Sequence, residues 1–217
     1  MNPNLLGKRL GYRDMNREIR GFITGNALYK LRSDRLHQPL HCLASIKPSE
    51  RTEEQKKELE AYAESVKDAH NELRAKHGSP PLTLEPKLSA LAQKWADHLV
   101  TQPSLANSGY TYEGQRVGEN VFSRTSNIEP KCDSKELVEH WYQEKSKYHF
   151  YQEPVLVTGI GGFTQLVWAG SQKIGVGKAV MMSGSGQTAA NKLVVVCMYY
   201  PPGNVKGQFL ANVKRAA

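Results

Sequence analysis

The sequence is poor in cysteine. Cys42, Cys132 and Cys197 are the three in 217 residues, and they lie far apart. No C-x-x-C pair occurs, which excludes a zinc ribbon and a thioredoxin-type motif. A small secreted disulfide scaffold carries more. The thiols are expected to be buried and free, behaving as small apolar side chains. Long apolar runs are also lacking. The longest stretch without charge or loop residues is 193–200, too short to span a bilayer. Residues 1–20 are broken by charges and have no apolar h-region, so no signal peptide is expected. Asn2 in place of glycine removes a myristoylation signal. Acidic residues are the scarcer sign: 21 Asp+Glu stand against 29 Lys+Arg, a net charge of +8. With 39% hydrophobic and 23% charged residues, the chain has the composition of a folded protein.

The excess charge sits at the ends. Residues 1–50 hold nine basic and four acidic side chains, and residues 151–217 hold six and one. Residues 51–150 are slightly acidic. Residues 1–48 are read as a basic extension, partly ordered at best, and 49–217 as one domain. Leu36, Leu40, Leu43 and Ile46 form an apolar stripe that would let part of the extension dock on that domain. No RNP-type strand or zinc finger accompanies the charge, so nucleic acid is not an expected partner. An anionic membrane surface suits it better.

Thr52-Glu53-Glu54-Gln55 reads as a capping box. The helix it opens carries Leu59, Tyr62, Ala63, Val66 and Leu73 at helical spacing, and Gly78 with Pro80-Pro81 stops it. A second helix starts near Pro86, with Leu88, Leu91, Ala92, Trp95, Ala96 and Leu99 on one face. A long loop follows. A third helix begins near Asp133, its inward face bearing Leu137, Val138, Trp141, Tyr142 and Tyr148. Then the period changes. Ile174, Val176, Val180 and Met182 alternate along one strand, Ser183-Gly184-Ser185-Gly186 opens a loop, and 193–200 forms a second, more buried strand. Helices first and a hairpin last predict an α+β domain with an antiparallel sheet.

Generic motifs carry little chemistry. Gly159-Ile160-Gly161-Gly162 lacks the Lys-Ser/Thr of a phosphate loop, and neither a GxSxG elbow nor an HExxH helix occurs. Four other strings belong together. They are His70-Asn71-Glu72-Leu73-Arg74; Gly118-Glu119-Asn120-Val121; Gly162-Phe163-Thr164-Gln165-Leu166-Val167-Trp168; and the run from Cys197 through Gly203-Asn204-Val205. In this order and spacing they resemble the signatures of the CAP superfamily: cysteine-rich secretory proteins, antigen 5 and plant pathogenesis-related proteins. The resemblance covers roughly residues 60–213. With few cysteines and no signal peptide expected, the chain resembles most the Golgi-associated plant pathogenesis-related group, to which Trp141-Tyr142-Gln143-Glu144 and Gly203-Asn204-Val205 are also similar.

The resemblance implies a three-layer α-β-α sandwich around a central antiparallel sheet. It also implies a cleft lined by two His and two Glu that binds a divalent metal in many members. Position by position, Glu119 and Glu144 keep the two carboxylates. The imidazole expected before Phe163 is replaced by Gly162, and the other falls on Asn107. Glycine supplies no ligand, and an amide oxygen suits calcium or magnesium rather than zinc. The expectation is therefore no zinc, copper or other cofactor, with a weak hard-cation site at Glu119 and Glu144 as the most this cleft can offer. His149, five residues after Glu144, is an imidazole that could swing toward the cleft; beside Phe150 and Tyr151 it reads as a packed or surface residue. Glu119 keeps two readings, a binding group or a loop pin accepting backbone N–H bonds. Trp141 and Trp168 read as core aromatics.

Three functions follow from the resemblance. One is a non-catalytic module that binds lipid or an anionic or sterol-containing membrane reversibly. Another is a hydrolase-like enzyme using Glu119 or Glu144 as base, although no partnered nucleophile is visible. The third is a homodimeric interaction scaffold. The expected place is intracellular, cytoplasmic or on the cytosolic face of Golgi membranes, or extracellular if the true N-terminus lies upstream.

Overall fold

The first helix starts where the sequence offers a cap. The structure, a computed structural model, describes residues 51–183 and 190–217. Gln55 N donates to Thr52 Oγ1 and Thr52 N donates to Gln55 Oε1, so the predicted capping box is complete and opens α1 (Glu53–Lys76). The two-residue β1 (Thr83–Leu84) leads into α2 (Pro86–Leu99), which has proline in its first turn. The small ribbon β2 (Thr111–Tyr112) and β3 (Gln115–Arg116) precedes β4 (Gly118–Ser126). The Asp133 side chain accepts from Glu136 N and caps α3 (Ser134–Tyr142), which continues as a 3₁₀ turn, Gln143–Lys147. The short α4 (Gly161–Leu166), β5 (Lys173–Met181), β6 (Asn191–Tyr200) and α5 (Phe209–Asn212) follow.

The main sheet runs β1-β5-β6-β4. β6 is antiparallel to both β5 and β4. β1 pairs in parallel with the start of β5, so the sheet is mostly, not wholly, antiparallel. Period-two alternation divides its side chains between two layers. Ala179, Val194, Val196 and Met198 pack on Leu88, Ala92, Ala96 and Leu99 of α2. Ile174, Val180, Leu193, Val195, Cys197 and Tyr199 face α1, α3 and α4. Each fully buried Val or Leu contributes roughly 1.5–3 kcal/mol relative to exposure. The outcome is the α-β-α sandwich.

Two glycines set how close α2 lies. A β-carbon on Gly175 would overlap the backbone of Leu88 and Ser89, and one on Gly177 the backbone of Ala92 and Gln93. Side chains of α2 also close the edge of β5 beyond β1. Ser89 Oγ accepts from Val176 N, Gln93 Oε1 accepts from Lys178 N, and Gln93 Nε2 donates to Lys178 O. A sheet edge covered in this way is protected from strand addition.

Some expectations need correction. The long loop after α2 contains a full strand, β4, paired with β6 from Gly118↔Tyr199 to Ser126↔Asn191. The Gly118-Glu119-Asn120 string therefore begins a strand. Met182 lies just beyond β5, and Tyr148 is buried but lies past α3. Cys132 and Cys197 are free and buried. Cys42, the extension 1–48, Gly184 and Gly186 lie outside the described residues.

Candidate functional site

The helical string on α1 points inward. His70 is fully buried; its Nδ1 lies 2.8 Å from Val66 O and its Nε2 2.8 Å from Tyr199 Oη. Val66 O can only accept, so Nδ1 carries the proton and Nε2 of the neutral ring accepts from Tyr199. Asn120 Nδ2 donates to Tyr199 Oη and to Gly162 O. One proton arrangement thus links β4, α4, β6 and α1. Burial pushes the His70 pKa down to about 4 and raises that of Tyr199.

Arg74, one turn on, is also fully buried. Its guanidinium donates to the carbonyls of Pro80, Leu166, Trp168 and Ser171 at 2.7–3.0 Å. Desolvation lowers its pKa to about 10, which leaves it cationic at neutral pH. Asn71 exchanges two hydrogen bonds with the Leu82 backbone. Gln165 Oε1 accepts from Gly203 N, its Nε2 donates to Ser171, and Gly118 lies against its amide. Thr164 Oγ1 donates to Asn204 Oδ1, and Asn204 Nδ2 donates to Gly161 O from a left-handed backbone with φ 58°. Asparagine tolerates that conformation better than most residues. Phe163 stands among Tyr142, Tyr148, Phe150 and His77, and Trp168 meets Phe209 edge-on. The family strings therefore serve mainly as a lock that joins α1, α4 and the turn after β6.

The cleft residues are separately engaged. Glu119 Oε2 accepts from Ser108 N at 2.8 Å; its Oε1 accepts from Ser108 Oγ and Gly109 N. It pins the loop after α2. Its neighbour Asn120 projects from the opposite face of β4. Glu144 Oε2 accepts from Phe163 N at 3.0 Å. A β-carbon on Gly162 would come 3.0 Å from that oxygen and 2.8 Å from Trp141 Cδ1, so the space for a side chain at 162 is already filled. Asn107 is exposed. His149 is exposed and lines a surface hollow with Val155 and Leu156. Among the described residues, no three His, Cys, Asp or Glu side chains are grouped to hold a metal ion. Glu119 and Glu144 share none of their hydrogen-bond partners. The residues present do not fit the metal that the family cleft implies.

Sequence reasoning missed a surface feature. Tyr151, Val155 and Leu156 are 84%, 89% and 74% exposed in the loop between the 3₁₀ turn and α4. Lys147 and His149 share the hollow of Val155 and Leu156, and Arg215 reaches Tyr151 Oη. The one carboxylate in this loop, Glu153, accepts from Phe209 N and Leu210 N. The available signal was the apolar run Val155-Leu156-Val157 between Pro154 and Gly159.

Comparison with known proteins places these features. The profile described as CAP, cysteine-rich secretory protein family, matches residues 67–199. Golgi-associated plant pathogenesis-related protein 1 of Homo sapiens is 37% identical over 158 residues, covering 70% of this chain and 92% of that protein. Pathogenesis-related protein 1A of Nicotiana tabacum is 32% identical over 143 residues, covering 65% and 76%. Among solved structures, venom allergen-like protein 4 of Schistosoma mansoni aligns with a TM-score of 0.49 at 18% identity, covering 71% and 94%.

Proposed function

The chain belongs to the CAP family of cysteine-rich secretory proteins, and on that footing we propose that it is a non-catalytic binding module that docks reversibly on anionic membrane surfaces. The observation that carries this reading is the loop bearing Tyr151, Val155 and Leu156. Three large apolar side chains stand in water beside Lys147 and Arg215. Exposed apolar patches with a polar rim mark interaction sites. A short apolar tip enters the headgroup boundary, and each nearby basic residue adds about 1 kcal/mol toward an acidic leaflet. No described helix is long and apolar enough to cross a membrane. The basic C-terminal third supplies further attraction.

The cleft supports a non-catalytic role. Both candidate bases, Glu119 and Glu144, already accept backbone N–H bonds. Glu119 does hold a hydroxyl, that of Ser108, but this hydroxyl also accepts from Tyr110 N and so belongs to the pinned loop. The relative called Golgi-associated supports Golgi membranes as the place of action.

Flotation with phosphatidylcholine vesicles, with and without an acidic lipid, tests the proposal. Binding is expected only with the acidic lipid, weakening as salt is raised. Leu156→Asp should lower it about tenfold or more. Equal binding to neutral vesicles, no binding at low salt, or an unaffected Leu156→Asp would each overturn it.

A further inference from the structure

A second apolar surface lies between the N-terminal half of α1 and α2, at the β5 edge. It is a groove of about 780 Å³ whose walls include Leu59, Ala63, Leu84, Pro86 and Val176. Four basic and three acidic side chains stand around it, so its charge is nearly balanced. An anionic headgroup gains little in such a place, and an uncharged apolar occupant suits it.

Arg51, where the described chain begins, is itself part of the wall. Its guanidinium is held 2.6 Å from Asp97 Oδ1, with the two side chains only 5% and 18% exposed. This buried pair fixes the chain at the mouth of the groove. Pro48, Ser49 and Glu50 are the spacer before Arg51, a reach of at most about 10 Å. The segment before that spacer has the required chemistry. Residues 39–46 contain no Asp, Glu, Lys or Arg, and Leu40, Leu43 and Ile46 recur every third position.

We propose that the groove is the docking site for the chain's own residues 39–47, with Leu40, Leu43 and Ile46 as the side chains that fill it. The occupant is tethered to the wall it covers, so its effective concentration is high and modest apolar contact holds it. The groove is distinct from the loop at Tyr151.

A double-mutant cycle in the full chain tests this, with urea midpoints as the readout. Leu59 is only partly buried, so Leu59→Ala preserves the fold. Leu43→Ala and Leu59→Ala should each lower the midpoint, and the double variant should lower it by clearly less than the two shifts combined. Hydrogen exchange gives a second measure. Amides of 40–47 should exchange at least tenfold more slowly than in an unstructured chain, and Leu59→Asp should remove that protection. Purely additive midpoints, a silent Leu43→Ala, or unprotected amides in the parent would overturn the proposal. So would a stoichiometric amphiphile extracted from the parent but not from Leu59→Asp, or a dimer that Leu59→Asp dissociates.

Discussion

His70 and Arg74 illustrate what single side chains do in this fold. Protonating His70 would place a second donor against Tyr199 Oη, which already accepts from Asn120. Burial therefore holds its pKa at about 4, against about 6.5 in an unfolded chain. Between those values the unfolded chain binds the extra proton, so stability rises with pH. The penalty begins as pH falls below 6.5 and reaches on the order of 3 kcal/mol near pH 4. His77, whose pKa is also lowered by burial, acts in the same direction. Urea midpoints at pH 7 and pH 5 should differ more for the parent than for His70→Gln; an identical fall in both would refute this role. Gly162 makes a second test. Gly162→His should displace Glu144 from Phe163 N and destabilise the fold without producing micromolar zinc binding by calorimetry. Stoichiometric tight zinc in the parent or in this variant would refute the reading of the cleft. The sequence strings name His70, Asn71, Arg74 and Gln165 together. It did not reveal their partners, because Tyr199, Leu166 and Ser171 lie about a hundred residues from α1 and tertiary packing alone brings them there. The contacts near in sequence are those of Asn71 with Leu82, Arg74 with Pro80 and Gln165 with Ser171. For the same reason the two readings of Glu119 could not be separated before Ser108 and Gly109 were placed on it.

Helices were easier to read than strands. The capping box of α1, the proline of α2 and the Asp133 cap of α3 are local signals, and each marks a real terminus. β4 gives almost no such signal. Val121 and Phe122 are its only large apolar residues, and inward-facing Asn120 is polar because it has buried hydrogen-bond partners. Pairing with the apolar β6 makes it a strand, and hydrophobic period cannot show that. β5 shows how a small residue controls the spacing of layers. Gly175→Ala would drive a methyl group into α2 backbone, which cannot step aside as a flexible side chain can. A loss of about 3 kcal/mol or more is expected, seen as a large drop in Tm or as insoluble protein. A Tm within one degree of the parent would show that α2 is free to shift.

Across the molecule, the net charge of +8 takes meaning from its arrangement. The segment from 51 to 150 is nearly neutral, while the C-terminal third is basic and shares a surface with the exposed loop at Tyr151. That combination was only half visible in the sequence, which gave the charge but not the exposure of Val155 and Leu156. The order of the strands has another consequence, for the birth of the protein. β6 follows both β4 and β5 in the chain, yet it lies between them and supplies the middle of both hydrophobic layers. While residues 191–200 remain inside the ribosome, β4 has no neighbour in the main sheet, and α1 and α2 have only β1 and β5 of that sheet to pack on. The nascent chain must therefore carry part of the apolar faces of α1 and α2 uncovered until residues 191–200 have emerged. Folding then proceeds through long-range pairing, and chaperones that shield apolar helix faces have their greatest effect in that interval.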